Sequence, residues 1–285
     1  MIELHSFAAM GTGIDVAVEL GNDPKRPEAA FARVEAEFER LEQLLSRFRP
    51  DSELSRLNRD GSIVASRDLC DVVGLALAAR ERTGGRFDPT VHDALVAAGY
   101  DRTFADVRPD GEADAADVAR PCGGQVEVDG RRIRLAPGAR LDLGGIGKGF
   151  AAERAADLLS AAGPCLVSAG GDVAVRGVPA AGTWAVGIDD ELTVGLDQGG
   201  LATSGRDRRR WQRGGRERHH LIDPLTGLPA VTDILRVTVV GRDAVDAEIH
   251  AKVLFLGGAA AALASGLSTV VVTDDGRTRR GGALA

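Results

Sequence analysis

The sequence predicts an α+β fold. Three features of its 285 residues carry that reading. Alternating apolar runs outnumber amphipathic helical stretches. They cluster late, where 184–223 reads as several antiparallel strands with glycine turns, and they do not alternate regularly with helices as a doubly wound sheet requires. Asp129-Gly130 also separates two short β-like runs, 125–128 and 132–135, which is a hairpin signature.

Taken in order, 2–7 and 13–19 alternate as strands around a tight connection at Met10-Gly11-Thr12. Apolar residues at Phe31, Val34, Phe38, Leu41 and Leu45 have helical spacing, predicting a helix over 27–48. Ser52 follows in a polar loop and suits a helix N-cap. A second long helix is predicted over 66–83, closed by Gly84-Gly85, and Asp88 is placed to cap a helix starting near Pro89. After the Asp129-Gly130 hairpin come a helix over 147–162, a buried strand over 165–169, a strand at 236–240, a helix over 243–256 and a last strand at 267–273. The polar, alanine-rich segment 108–120 reads as an exposed insertion. No repeat or low-complexity linker divides the chain, so residues 1–285 are expected to form a single domain.

Composition narrows the function. Hydrophobic residues make up 44% and charged residues 27%, a globular balance, and the formal charge of -7 argues against nucleic acid or an anionic membrane as partner. The basic run 206–218 is the local exception and reads as a solvated loop. Cys70, Cys122 and Cys165 are odd in number and widely spaced, which fits neither a zinc site nor a disulfide frame. No signal peptide, lipobox or membrane span is visible, so a cytoplasmic location is expected. Of 35 basic residues only Lys25, Lys148 and Lys252 are lysines. In an arginine-dominated chain, an ammonium at 148 or 252 looks selected.

The stretch 141–159, LDLGGIGKGFAAERAADLL, invites a phosphate reading. Glycines admit anions to the backbone, a helix start adds partial positive charge, and Lys148 adds a full one. Neither nucleotide fingerprint fits. A Walker loop needs glycine where Asp142 stands, and the dinucleotide pattern needs glycine where Phe150 stands. Strand-to-helix packing explains the turn equally well.

Seven short motifs settle the wider context. Met10-Gly11-Thr12, SRFRPDSELSRLN (46–58), GGRFDPTV (84–91), DLGGIGKG (142–149), VSAGGD (167–172), ATSG (202–205) and HHLIDPLTG (219–227) occur in this order. Together they resemble the ApbE family, the FAD:protein FMN transferases, from about residue 7 to 273. The resemblance implies an ApbE-like, T-fold-related arrangement of mixed or antiparallel sheets with packed helices, in two interlocked subdomains. It implies FAD as the bound flavin, an acceptor protein flavinylated on a serine or threonine, and release of AMP. Met10 matches a flavin-contacting methionine and Phe48 an aromatic stacker. Arg86, Phe87 and Asp88 match a turn beside the flavin nucleotide. Asp142 and Lys148 match FAD-contacting positions, as do Gly170, Gly171, Ser204 and Gly205 in their motifs. Lys148 would steady the departing AMP, and His220 matches the proposed catalytic base, a role suited to imidazole. His219 stands one residue off the motif.

The departure lies in the last helix. Where the family binds Mg²⁺ through an acid and a threonine one turn apart, with a carbonyl at the position of Gly145, this chain has DAVDAEIHAKVLFLGG (243–258). One register puts Glu248 and Lys252 at the two positions; another puts Asp246 and His250 there. Charged lysine cannot ligate a metal. Glu248 and Lys252 are then either an ordinary i,i+4 pair worth about 0.2–0.5 kcal/mol, or part of an FAD site in which the ammonium replaces magnesium. Three other functions stay open: an FAD binder without transferase activity, serving as carrier or recruited redox protein; an FAD pyrophosphatase; and an interaction protein that keeps the scaffold without the flavin, against which the intact glycine motifs and His220 argue.

Overall fold

Period-two burial builds the centre of the molecule. In the strand Thr12–Glu19, Ile14, Val16 and Val18 are at most 2% exposed, while Ala17 between them faces a second cluster on the other side. The computed structural model describes residues 1–21, 27–108, 119–120, 122–189 and 192–284. Most of the expected insertion at 108–120, and Lys25, lie outside the described residues.

The main sheet has eight strands: β1 (Ile2–Ala9), β2 (Thr12–Glu19), β3 (Cys165–Ala169), β4 (Asp172–Arg176), β5 (Gly200–Gly205), β6 (Ile234–Gly241), β7 (Ser268–Thr273) and β8 (Thr278–Gly281). Neighbours in the sheet are neighbours in the chain, and all pairs are antiparallel. The sheet is therefore a meander, with its longest excursion between β2 and β3 and shorter ones between β4 and β5, β5 and β6, and β6 and β7. Ile14 faces Ala169 and Leu201 faces Val240, so the apolar sets of successive strands fall on common faces.

The first excursion carries α1 (Pro27–Leu45), α2 (Glu53–Asp60), α3 (Arg67–Arg82), α4 (His92–Ala97), a small three-stranded sheet that includes the expected hairpin at Asp129-Gly130, and α5 (Gly147–Leu159). α6 (Ala244–Gly257) and a short α7 (Ala259–Ala264) separate β6 from β7. α5 and α6 pack on each other and on the sheet, and α1 packs on α5. The opposite face is covered by the ribbon Trp184–Gly187 with Thr193–Leu196. No helix among the described residues is long and apolar enough to cross a membrane.

Local chemistry explains where the elements stop. α1 ends at Leu45, three residues before the expected end at Phe48. Pro50 disfavours helix at Arg49, and the Ser52 hydroxyl donates to the Ser46 carbonyl at 2.6 Å. Ser52 also caps α2 as expected, accepting from the Ser55 amide at 2.9 Å. The helix expected to start near Pro89 starts at His92 instead, with Val91 at its cap. Asp88 is occupied: one oxygen accepts from the Thr90 amide at 2.8 Å and hydroxyl at 2.7 Å, and the other faces Arg80 Nε at 3.3 Å. The run 206–218 is a hairpin rather than a loop, pairing Arg210–Arg213 with Arg216–His219. The buried Trp211 indole anchors it by donating to the Ala98 carbonyl at 2.9 Å.

Candidate active site

Seven segments distant in sequence meet around one cavity of about 400 Å³. They are the β1–β2 turn, the end of α1 with the following turn, residues 86–91, the segment from α4 to Phe104, the glycine turn into α5, the base of the 210–219 hairpin with Arg209 and His220, and α6. Such a volume suits a small-molecule site. The β1–β2 turn enters it with Met10 at φ 52° and Gly11 at φ 68°, the paired left-handed conformation that two-residue hairpins need. Met10 is the only non-glycine residue with positive φ among the described residues. Its amide donates to Glu42 at 2.8 Å, which holds the turn against α1.

One wall is aromatic. Phe48 and Tyr100 stand 5.6 Å apart between ring centroids, and the Arg47 guanidinium lies 4.2 Å from the Phe48 centroid and 4.8 Å from that of Tyr100. Arg47 Nε also pairs with Asp142 at 2.6 Å, both side chains being nearly buried. Asp142 thereby links this wall to the glycine turn, where its other oxygen accepts from the Gly144 amide at 2.9 Å.

The glycine turn works differently from a backbone anion cradle. Three of its glycine amides are engaged within the protein: Gly144 by Asp142, Gly147 by the Leu143 carbonyl at 2.8 Å, and Gly149 by Glu248 at 3.0 Å. The glycines instead permit close approach. A Cβ on Gly149 would stand 2.8 Å from the Ala244 carbonyl oxygen, so the absence of a side chain sets the α5–α6 distance. A Cβ on Gly145 would stand 2.6 Å from Lys252 Cε, so Gly145 is what lets the Lys252 chain pass.

Behind the turn lies a cluster of two ammonium and two carboxylate groups. Lys148 Nζ donates to Glu248 at 2.9 Å and also to Asp172. Lys252 Nζ stays 3.9 Å from Glu248. Burial opposes charge on Lys148, but Asp172 and Glu248 outweigh it and raise its pKa. Burial likewise opposes charge on Glu248, yet Lys148 and then Lys252 hold it below the usual carboxylate range. Asp172 is the poorer-served acid; burial drives its pKa up despite Lys148. For Lys252, burial lowers the pKa, and Glu248 only partly offsets this.

His220 lines the cavity with its Nδ1 buried and lacking a hydrogen-bond partner. Burial, followed by the positive charges of Lys252 and Arg209, pushes its pKa well below 6.5. The sequence reading expects a near-neutral value; burial, reinforced by the neighbouring cations, makes the difference. His219 is satisfied elsewhere. Its Nε2 lies 3.0 Å from the Ala230 carbonyl, and its Nδ1 accepts from the Leu221 amide at 3.2 Å.

The cavity thus brings together Met10, Phe48, Arg86, Phe87, Asp88, Asp142, Gly145, Lys148, His220 and Lys252. Five expected contacts are not in its lining. Gly170 and Gly171 form the β3–β4 turn, with Gly170 against Thr12. Ser204 and Gly205 are paired in the sheet with Val237 and Arg236. Glu248 sits one layer behind, under the two lysines. Sequence reasoning missed Arg47, Tyr100, Phe104 and Arg209. Tyr100 carried a usable signal, being the chain's single tyrosine.

Magnesium, which the resemblance implies, does not fit these donors. Both Glu248 oxygens are engaged, one by Lys148 and one by the Gly149 amide, and the Lys252 side chain fills the space beside Gly145. Among the described residues no group of three His, Cys, Asp or Glu side chains is arranged to hold a metal ion. The alternative pair, Asp246 and His250, face each other at 3.2 Å outside the cavity lining, and Asp246 also meets Arg82 at 3.6 Å.

Comparison with known proteins agrees with the geometry. A sequence model of the ApbE family matches residues 10–269. An FAD:protein FMN transferase of Klebsiella pneumoniae is 32% identical over 259 residues, covering 84% of this chain and 74% of the relative. One from Treponema pallidum is 32% identical over 270 residues, covering 82% and 74%. The crystal structure of the ApbE protein from Thermotoga maritima superposes with a TM-score of 0.85 at 24% identity, over 99% of this chain and 97% of that one. The flavin transferase ApbE from Vibrio cholerae gives 0.77 at 24% identity, over 100% and 98%.

Proposed function

Because the chain belongs to the ApbE family, we propose that it is an FAD:protein FMN transferase like its curated relatives. It acts as one domain on a serine or threonine hydroxyl of an acceptor protein. The observation that carries this reading is the convergence of Met10, Lys148 and His220 on one cavity, although they are spread over the length of the chain.

In this reading FAD is the substrate. Phe48, Tyr100 and Met10 offer apolar surface to its ring systems; base–aromatic stacking contributes about 1–3 kcal/mol in nucleic-acid sites. Lys252, Arg86 and Arg209 supply positive charge to its diphosphate. The acceptor hydroxyl attacks the phosphorus on the FMN side, an oxygen–phosphorus bond forms, and the bond from that phosphorus to the bridging oxygen breaks. AMP leaves with the bridging oxygen. The hydroxyl proton passes to the His220 imidazole, which is neutral at pH 7 and has a free nitrogen to receive it. Binding of the diphosphate places negative charge beside His220 and raises its basicity at the moment it is needed. Lys148 holds Glu248 and Asp172 in place, a positioning role rather than direct contact with the leaving group. No step is routed through a metal.

The test is incubation with FAD and a threonine-bearing acceptor protein, followed by mass measurement of the acceptor and assay for AMP. A mass gain of one FMN group with stoichiometric AMP is expected. FMN and AMP appearing equally fast without acceptor would establish a pyrophosphatase instead. Bound FAD with neither product would establish a carrier.

A further inference from the structure

Two of the chain's three lysines reach the same buried carboxylate, Glu248, in a protein that otherwise uses arginine. Their situations differ. Lys148 is fully engaged, donating to both Glu248 and Asp172. Lys252 has no hydrogen bond among the described residues, and its nearest carboxylate is 3.9 Å away. It stands in the cavity lining, its stem crossing the face of Gly145 at a distance that any side chain there would block. A largely buried ammonium without a hydrogen-bonding anion is unfavourable. The cost is recovered when an anion enters from the open side.

We infer that Lys252 is the site's own cation: its ammonium meets the FAD diphosphate in the place of a divalent metal, so FAD binds without added magnesium. The inference rests on the assignment of FAD as substrate. Three features of the geometry support it. The carboxylate that a metal would need has both oxygens engaged. A divalent ion beside Gly145 would share its space with the Lys252 stem. It would also meet two ammonium charges at close range, an arrangement that Coulomb repulsion opposes. Lysine suits the task because its narrow stem passes over Gly145 and its three donors serve several phosphate oxygens.

The full-length protein, stripped of flavin, is titrated with FAD by flavin fluorescence in EDTA and in excess Mg²⁺. Riboflavin, which lacks the diphosphate, serves as control. The same titrations are made with Lys252→Met and Lys252→Gln, whose folding is checked by thermal melting. Wild-type affinity for FAD is expected to agree within about twofold between EDTA and Mg²⁺. Both variants should bind FAD roughly ten- to a hundredfold more weakly, the worth of a charge-assisted hydrogen bond, while binding riboflavin as the wild type does. FAD binding that appears only with Mg²⁺ would overturn the inference and leave the transferase reading standing. Wild-type FAD affinity in both folded variants would also overturn it. No FAD binding by the wild type in either buffer would overturn both.

Discussion

Two alanine substitutions in the glycine turn should separate binding from folding. At Gly145 the backbone is not left-handed, so alanine adds only its methyl group. That methyl would stand 2.6 Å from Lys252 Cε and 3.1 Å from Cδ. Carbon atoms prefer about 3.5–4.0 Å, so the lysine must swing away, and the end of a flexible chain can do so for about 0.5–1.5 kcal/mol. At Gly149 the obstacle is backbone: the Ala244 carbonyl oxygen at 2.8 Å and its carbon at 3.0 Å. Ala244 is itself held, its amide donating to Glu153 at 2.7 Å. Forcing α5 and α6 apart costs about 1–3 kcal/mol or somewhat more, against which better helix propensity returns up to about 1 kcal/mol. Because the obstacle is backbone, the upper end of that cost, about 3 kcal/mol, applies. Gly149→Ala should therefore lose about 2 kcal/mol net and lower Tm by roughly 4–8 °C, at about 2–4 °C per kcal/mol. Gly145→Ala should change Tm little and weaken FAD binding by about tenfold or more. Thermal melts followed by circular dichroism and FAD titrations of both variants read the two effects. A Gly145→Ala protein with wild-type FAD affinity, or a Gly149→Ala protein melting within 1 °C (~0.4 kcal/mol) of the wild type, would refute the reasoning.

Three further outcomes are expected. His220→Gln should slow transfer by about 10²–10⁴ while leaving FAD affinity within a few-fold, since a general base contributes that much to rate and little to binding; an equal loss in both would assign His220 to binding. Only the neutral imidazole accepts a proton, and its pKa in the free protein is depressed, so kcat/KM should fall as pH drops through a value below 6.5; an acid limb above 6.5 would contradict the environment described for it. Arg47→Met removes the partner of the nearly buried Asp142 and the cation between two rings; urea unfolding should show a loss of about 3–5 kcal/mol, as for other broken buried pairs, and a loss under 1 kcal/mol would mean that water reaches Asp142.

The parts of the fold that sequence reasoning recovered are those whose signal is local. Met10-Gly11 between alternating runs gave the first hairpin, and the spacing from Phe31 to Leu45 gave α1. What it missed was decided by partners far away in the chain. The apolar pattern continues through Phe48, yet α1 ends three residues earlier, where the hydroxyl of Ser52 and the proline at 50 stop it. The helix placed at Pro89 failed because Thr90 and Arg80 occupy the carboxylate that was expected to cap it. α7 and β8 are short, and packing against β7 holds them more than their own propensity does. Within the site, Arg47 lay inside a recognised motif, yet its position between Phe48 and Tyr100 depends on a residue more than fifty positions away and has no sequence signature.

Lysine is rare in this chain, and the structure gives a physical reason for its presence at two of the three positions. An arginine at 252 would have to carry a planar guanidinium past Gly145, where even the methylene stem of lysine comes within 2.6 Å of a Cβ position. An arginine at 148 would present a flat fork to two carboxylates that approach one ammonium from different elements, Asp172 on β4 and Glu248 on α6. A compact ammonium can serve both, because its three donors point in three directions. Substitution by arginine at either position is therefore not conservative. At 148 it would disturb the α5–α6 contact, and at 252 it would close the cavity. Lys148 and Lys252 therefore stand where a compact ammonium fits better than a guanidinium, and they flank the same carboxylate.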